Sequence, residues 1–161
     1  VKTPLNQKLK QSLPKLSLRK KSPSLKPRSN LDYVKLGEQT FQTLIALTDE
    51  EQEFGLMYKK WPPPVMCFPF KEAAIRKFYM RNTISPLDIV FCKDDNIIDI
   101  VYGKPLSEEH IGPNELCNLV VELPLGTTTL HNINIGDSVE LKYSMKTLAR
   151  KFETNLIRKM F

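Results

Sequence analysis

The feature that most constrains this sequence is an uneven division of charge along the chain. The first thirty residues contain nine Lys or Arg and no Asp or Glu. Leu31–Leu141 contains nine basic and seventeen acidic residues, and Lys142–Phe161 contains six basic residues and one acidic residue. A like-charged arm with few apolar residues cannot bury a core of its own. We therefore expect residues 31–143 to form one domain of common size, preceded by an extended basic arm at 1–30.

The arm predicts a partner of opposite charge outside its own domain. Four prolines limit helix formation, although the spacing of Leu5, Leu9 and Leu13 would allow one or two helical turns before Pro14. The arm has no aromatic residue, so base stacking is not available to it. Two modes of binding remain for the arm, which are contact with nucleic acid phosphates and docking in a protein groove. The leucines favour the groove. We expect these residues to bind the partner: Lys8, Leu9, Lys10, Leu13, Lys15, Leu16, Arg19, Lys20, Lys21, Lys26 and Arg28.

This charge division favours a non-enzymatic component of a large macromolecular assembly, bound to neighbouring protein subunits. Arms of this composition recur in viral capsid components, so we expect a minor or cement-type virion protein. The alternatives are a nucleic-acid-associated ribonucleoprotein component and a small-ligand-binding domain that uses the Asp88 and Asn82 region. The N-terminus has no apolar segment of the kind found in secretory signals, and no apolar run reaches the length of a membrane span. We therefore expect an intracellular or virion location without a membrane, although the arm also resembles the remains of a transit peptide.

The acidic middle of the chain has the pattern of short strands separated by turns. Apolar and β-branched runs predict strands at 40–47, 65–70, 77–81, 87–92, 97–102, 118–123 and 139–143. Thr48 followed by Glu51 forms a capping box, which predicts a short helix to about Tyr58. A second helical turn is expected after Gly126. The prediction is a mainly β, antiparallel barrel- or sandwich-like domain with one or two short helices.

The last residues, 144–161, are predicted to form a basic amphipathic helix. Met145, Leu148, Phe152 and Leu156 recur at helical spacing and make one apolar stripe. Two interpretations remain open at this point. The helix either caps its own domain or docks on a partner or an acidic surface.

Six motifs of the middle segment occur in a familiar order and spacing. They are Gly55-Leu56-Met57, Met66-x-Phe68, Phe78-Tyr79-Met80-Arg81-Asn82-Thr83, Pro86-Leu87-Asp88-Ile89-Val90-Phe91, Val121-Glu122-Leu123-Pro124-x-Gly126 and Gly136-Asp137. On these motifs the chain resembles domain-of-unknown-function family 192 over residues 34–143. The resemblance implies a compact, mostly β domain and no agreed activity. Val65 and Tyr79 depart from it, since the family usually has Gly and Trp there, and any pocket it shares is expected to be altered here.

A small polar pocket for a sugar or an anion is the best ligand hypothesis, formed by Arg81, Asn82 and Asp88. Asp88 lies in an apolar run, so we expect it to accept hydrogen bonds from backbone amides or from the Asn82–Thr83 loop. Asp88 and Glu122 are the one pair of carboxylates that we consider for acid–base catalysis. A structural role is the favoured interpretation of each.

No catalytic constellation is expected, because no nucleophile, phosphate-binding or dinucleotide motif is present. His110 and His131 have no partner at motif spacing. Three widely spaced cysteines predict buried, reduced thiols rather than a metal site, and we expect no cofactor.

Overall fold

The computed structural model describes residues 30–161, so the predicted arm and its partner-binding residues lie outside the described part of the chain. The described residues form seven strands: β1 Asp32–Leu36, β2 Gln39–Ile45, β3 Met66–Ile75, β4 Leu87–Lys93, β5 Asn96–Gly103, β6 Leu116–Pro124 and β7 Val139–Lys142. They also form three helices: α1 Asp49–Phe54, α2 Thr127–Leu130 and α3 Met145–Met160. The predicted mainly β fold with short helices and a C-terminal helix is confirmed.

The seven strands form one sheet in the order β5-β4-β6-β3-β2-β1-β7. Neighbouring strands are antiparallel except β2 and β3, which run parallel through the pairs Leu44↔Met66 and Ile45↔Cys67. Only an antiparallel arrangement had been expected. The parallel pair arises because α1 and the following proline-rich loop return the chain to the edge of β2, where β3 begins beside Leu44.

The sheet curls into a half barrel whose two ends approach each other. Ile97 at the start of β5 donates its N–H to the carbonyl of Asp137, at 2.9 Å, and accepts from the N–H of Gly136, at 2.8 Å. The N–H of Val139 donates to the carbonyl of Asp95, also at 2.8 Å. These bonds pair some of the backbone N–H and C=O groups on the outer edges of β5 and β7, which would otherwise be open to pairing with other chains.

Apolar residues are buried on both faces of the sheet. One cluster, which includes Val34, Val90 and Val121, draws on all seven strands and fills the inside of the curl. The second cluster lies on the outer face, where Phe68, Phe91 and other side chains from β3, β4 and β6 are covered by the turn after α1 and by two loops. A sheet covered on both faces has continuous apolar strands, as the buried run of β4 shows.

Two local predictions need correction. The predicted strand at 65–70 is present as the first part of β3, which continues to Ile75. The predicted strand at 77–81 is wrong, because these residues contribute only an isolated bridge between Phe78 and Ile111. Strand β1 was not predicted, because its mixed sequence DYVKL gains strand structure by pairing with β2 and β7. The predicted Thr48 cap is present, since Thr48 accepts from the N–H of Glu51, whereas the Glu51 carboxylate accepts from the N–H of Leu47 instead of that of Thr48. The helix ends at Phe54 with Gly55 as its cap.

Candidate functional site

A cleft of about 320 Å³ lies over the outer face of the sheet, between α1, the end of β3 and β6. Eight of its lining residues come from four of the six motifs described above: Gly55, Leu56, Met57, Phe68, Phe78, Tyr79, Thr83 and Glu122. Its volume is at the lower end of the range for small-molecule sites. The motifs that are scattered along the sequence therefore converge on one concavity.

One wall of the cleft is α1 with the turn that follows it. Gln52 fixes this helix to the sheet, because its Nε2 donates to the carbonyls of Ala46, at 3.2 Å, and Pro69, at 3.1 Å. Gly55 then adopts a φ of 49°, a backbone conformation that favours glycine, and turns the chain so that Leu56 is buried on the sheet. The wall is thus held by polar contacts to β3 and to the residue that follows β2, and by one apolar anchor.

Aromatic rings form the apolar part of the cleft. Phe68 and Phe78 meet edge to face with ring centroids 5.2 Å apart, and Phe78 meets Phe91 in the same way at 5.8 Å. This geometry is the favoured one for aromatic pairs. It gives the cleft a rigid floor on which the apolar body of a ligand can pack.

Glu122 is the buried acid of the cleft. It lies on β6 between Met66 of β3 and Ile89 of β4, and only 5% of its surface is exposed. Within residues 30–161 no hydrogen bond to its carboxyl is formed. Burial in these apolar surroundings raises the pKa of Glu122 to about 8. At neutral pH most Glu122 side chains therefore carry a proton and can donate a hydrogen bond into the cleft.

Arg76 supplies an uncompensated cation at the same cleft. Its guanidinium carbon lies 3.7 Å from the centroid of the Phe70 ring, and its Nη2 donates to the carbonyl of Glu72 at 2.9 Å. Its Nε is buried without an acceptor, and no carboxylate pairs with Arg76 in the described part of the chain. Buried polar groups are normally satisfied, so this donor and Glu122 mark the cleft as a site with unmet hydrogen-bonding capacity.

The neighbouring Lys77 is already occupied. Its ammonium group donates to the carbonyl of Gly112 and, at 2.9 Å, to Oδ1 of Asn114. These bonds fix the loop that covers the outer face beside Phe78. Of the two adjacent cations that line the cleft, Arg76 is therefore the one available to a ligand.

The three residues predicted to form a polar pocket have separate partners. Asp88 is buried, and its Oδ2 accepts from the backbone N–H of Thr128, at 2.9 Å, and from the Thr128 hydroxyl, at 2.8 Å. Arg81 pairs with Glu108 on the surface at 3.0 Å. Asn82 has a φ of 55°, and its carbonyl accepts from the N–H of Tyr58. No contact joins Asp88 to Arg81 or Asn82.

The Asp88 and Glu122 carboxyls do not converge. In the β4–β6 ladder Asp88 pairs with Leu123, whereas Glu122 pairs with Ile89. Directly paired residues share a face and successive residues alternate, so the two carboxyls lie on opposite faces of the sheet. Asp88 anchors α2 to the sheet, and Glu122 faces the cleft.

Sequence reasoning missed the cleft because Arg76 and Glu122 are far apart in the chain. The signal for Glu122 was present, since it is the one acid within the apolar run 119–125. Arg76 carried no such signal, because it follows a surface segment. In the β3–β6 ladder Glu122 lies opposite Met66, whereas Arg76 follows Ile75, which lies opposite Leu116. The fold therefore places both residues in the lining of the cleft, at different positions along β6.

Residues 30–161 contain no group of His, Cys, Asp or Glu that could hold a metal ion. His110 stacks on Tyr79 with ring centroids 5.8 Å apart, and His131 meets Phe41 at 5.5 Å. Cys67, Cys92 and Cys117 are buried free thiols. No helix in this part of the chain has the length and apolar character needed to span a membrane.

Comparisons with known proteins agree with the motifs. Two solved structures match with a TM-score of 0.62 and 29% sequence identity. One is a Novosphingobium aromaticivorans protein of unknown function, with 68% of this chain and 83% of that chain covered. The other is described as a candidate transcription regulator of Sinorhizobium meliloti, with 69% and 92% covered. No curated protein matches the sequence. The DUF192 model, described as uncharacterized ACR, matches residues 33–141, and the chain therefore belongs to this family.

Proposed function

We propose that the domain binds a small organic acid with an apolar body in the cleft formed by α1, β3 and β6. The observation that carries this proposal is that one cleft is lined both by a guanidinium without a counter-ion, Arg76, and by a protonated carboxyl, Glu122. Both groups are donors at neutral pH. A ligand oxyanion would bind the Arg76 guanidinium, and charge-assisted bonds of this kind are among the stronger ones in proteins.

The apolar body of the ligand would pack against the aromatic floor. Phe68 and Phe78 offer ring faces and edges there, and Phe54 and Phe70 line the opening. The site has no pair of converging carboxylates and no nucleophile with an adjacent base. We therefore propose binding rather than chemistry, in keeping with the non-enzymatic role expected from the sequence.

The binding test uses 3-phenylpropionate as the probe and 2-phenylethylamine as its cationic counterpart. Titrations followed by NMR shifts of the cleft residues should show saturable binding of the acid and at least tenfold weaker binding of the amine. Arg76→Gln should weaken binding of the acid at least tenfold, because one charge-assisted bond of about 1.5–3 kcal/mol is lost. Lys35→Gln, on β1 and outside the cleft, is the matched control for a removed cation.

Glu122 gives this site a pH signature. As pH rises through about 8, Glu122 ionises, and the new carboxylate repels the bound anion. Affinity for 3-phenylpropionate should therefore fall above pH 8 in the native protein and stay level in Glu122→Gln, whose amide keeps a donor without titrating. Equal affinity of both probes, or an unchanged pH profile in Glu122→Gln, would contradict the proposal.

We also propose that the basic arm docks the chain onto neighbouring subunits of a larger assembly. The support is the excess of nine positive charges at residues 1–30 and the acidic domain that follows. Single surface ion pairs contribute only about 0–1 kcal/mol, so several pairs and the arm leucines would act together. Deletion of residues 1–30 should abolish incorporation while residues 31–161 still fold. Normal incorporation of the deleted chain would exclude this role.

A further inference from the structure

A second concavity, of about 220 Å³, lies between helix α3 and strand β3. We name it the α3 groove. Its other wall includes residues 69–71 of β3 and Tyr143, which follows β7. The α3 wall is formed by residues at three- and four-residue spacing, which lie on one face of the helix: Lys151, Thr154, Asn155 and Arg158.

Polar contacts fix α3 to the domain just before the groove. Thr147 is buried and donates its hydroxyl to Oδ2 of Asp32 at 2.7 Å. One turn further along, Arg150 pairs with Glu51 of α1. These contacts hold the polar face of the helix against the domain, so the groove between α3 and β3 is part of the folded structure.

Three cations and no acid line the α3 groove. Lys71 comes from β3, whereas Lys151 and Arg158 come from α3. Residues 31–141 carry nine basic and seventeen acidic residues, so the groove is a positively charged concavity on a domain that is acidic as a whole. A concavity lined by one sign of charge focuses the field and concentrates ions of the opposite sign. The expected occupant of the groove is therefore an anion.

The charges of these three cations are available to a ligand. Lys71 makes no hydrogen bond, ion pair or ring contact within residues 30–161. Lys151 lies 4.3 Å from the centroid of the Tyr143 ring, a contact that leaves its charge without a counter-ion. Arg158 pairs with Asp49 at 3.4 Å, but the Asp49 side chain is 89% exposed. Exposed pairs of this kind are weak, so an anion in the groove can compete with Asp49.

Neutral donors accompany the cations. The Asn155 amide and the Tyr143 hydroxyl both line the groove, and neither makes a hydrogen bond in the described part of the chain. Burial raises the pKa of Tyr143 to about 12, so its hydroxyl keeps its proton at neutral pH and remains a donor. Thr154 is already used, because its hydroxyl donates to the carbonyl of Arg150 at 2.9 Å.

We propose that the α3 groove binds the phosphoryl group of a small molecule. Its volume is below the range of about 300–1,000 Å³ that encloses a drug-sized ligand, so it suits one charged group rather than a whole organic molecule. A phosphoryl group carries close to two charges and three acceptor oxygens, which matches cations on both walls. A carboxylate brings one charge and two oxygens in a plane.

This site is separate from the cleft over the outer face of the sheet. Phe70 is the one residue that lines both. The cleft pairs one cation with an aromatic floor, whereas the groove combines three cations with little apolar surface. The phosphoryl site therefore does not depend on the organic acid proposed for the cleft.

A nucleic acid is disfavoured as the source of the phosphate. Its backbone carries a charge at every nucleotide, but the first turn of α1, with three acids, meets the groove at the Arg158 ion pair. Single-strand binders also stack bases on aromatic rings. Both rings of the groove already have a cation over one face, since Tyr143 faces Lys151 and Phe70 faces Arg76.

The test uses the full chain, with inorganic phosphate and acetate as probes at constant ionic strength in sodium chloride. Titrations followed by NMR should show saturable shifts of groove amides with phosphate and at least tenfold weaker binding of acetate. Lys71→Gln and Lys151→Gln should each weaken phosphate binding at least fivefold, because each removes one charge-assisted bond. Lys151→Arg should retain binding, because the cation is kept.

Lys159→Gln removes a cation from the same helix outside the groove, so it is the matched control and should bind phosphate as the native chain does. Lys71→Gln should leave the affinity for 3-phenylpropionate unchanged, which lets the two proposals fail independently. No binding of phosphate, equal binding of acetate, or an equal loss in Lys71→Gln and Lys159→Gln would overturn the proposal. So would a ten-nucleotide oligothymidylate that binds at least tenfold more tightly than phosphate and is weakened by Lys71→Gln.

Discussion

The buried Glu122 makes a quantitative prediction about stability and pH. Its pKa in the folded chain is about 8, raised by burial from the ordinary value of 4.5 that applies when the chain unfolds. Between these two pH values the folded state holds a proton that the unfolded state has released. Raising the pH therefore favours unfolding. Each pH unit in this window lowers the free energy of unfolding by about 1.4 kcal/mol.

The full window amounts to a loss of about 5 kcal/mol, since it spans 4.5 to about 8. This loss is comparable with the whole stability of a small domain. In Glu122→Gln the titrating group is absent, so the dependence on pH that it causes should vanish. The stability of the native chain minus that of Glu122→Gln should therefore fall by about 1.4 kcal/mol per pH unit from pH 5 to pH 8.

The assay is urea denaturation followed by circular dichroism at half-unit steps from pH 5 to pH 8.5. Higher pH is avoided because burial also raises the pKa of Cys67 to about 12 and raises that of Cys92, so both thiols contribute above their ordinary value of 9. Glu115→Gln, at an exposed position beside β6, controls for the loss of a carboxyl and should follow the native curve. Parallel curves for the native chain and Glu122→Gln would refute the reasoning.

Three further variants test a buried hydrogen bond, core packing and backbone strain. Asp88→Asn should lower the free energy of unfolding by about 2 kcal/mol in urea melts, because the charged acceptor of both Thr128 bonds is lost; unchanged melting would contradict this structural role. Gly103→Ala should cost about 1–3 kcal/mol, because its Cβ would lie 2.8 Å from Sδ of Met80 and 3.2 Å from Cβ of Leu87. Gly136 lies at a turn where an added Cβ would meet open space, but its φ is 94°. Any decrease in the free energy of unfolding of Gly136→Ala should therefore come from backbone strain alone.

Local chemistry along the chain was sufficient to predict much of the secondary structure. The helix cap at Thr48 and the apolar run of β4 are determined by neighbouring residues, and both were predicted. Strand β1 was missed because its strand structure comes from pairing with β2 and β7. The parallel pairing of β2 with β3 was missed for the same reason, since alternation along one strand does not show the direction of its neighbour.

The functional site was likewise predicted only in part from the sequence. The sequence indicated that Asp88 accepts hydrogen bonds from backbone amides or from the Asn82–Thr83 loop, because an unpaired carboxylate in an apolar strand would be costly. The structure supplies the backbone amide and the hydroxyl of Thr128. The sequence did not indicate which carboxyl faces a cavity. That depends on strand register, which places Asp88 on the inner face with α2 and Glu122 on the outer face beneath α1.

By itself the sequence determined the charge division, the strand-rich domain and the helical spacing of the last apolar residues. The tertiary structure decided which way those residues face. The polar side of α3 meets Asp32 and Glu51, residues more than ninety positions earlier in the chain, and these contacts leave the apolar stripe outside. Periodicity is a local property and fixes the pattern on a helix, whereas orientation is set by long-range contacts that the pattern does not contain.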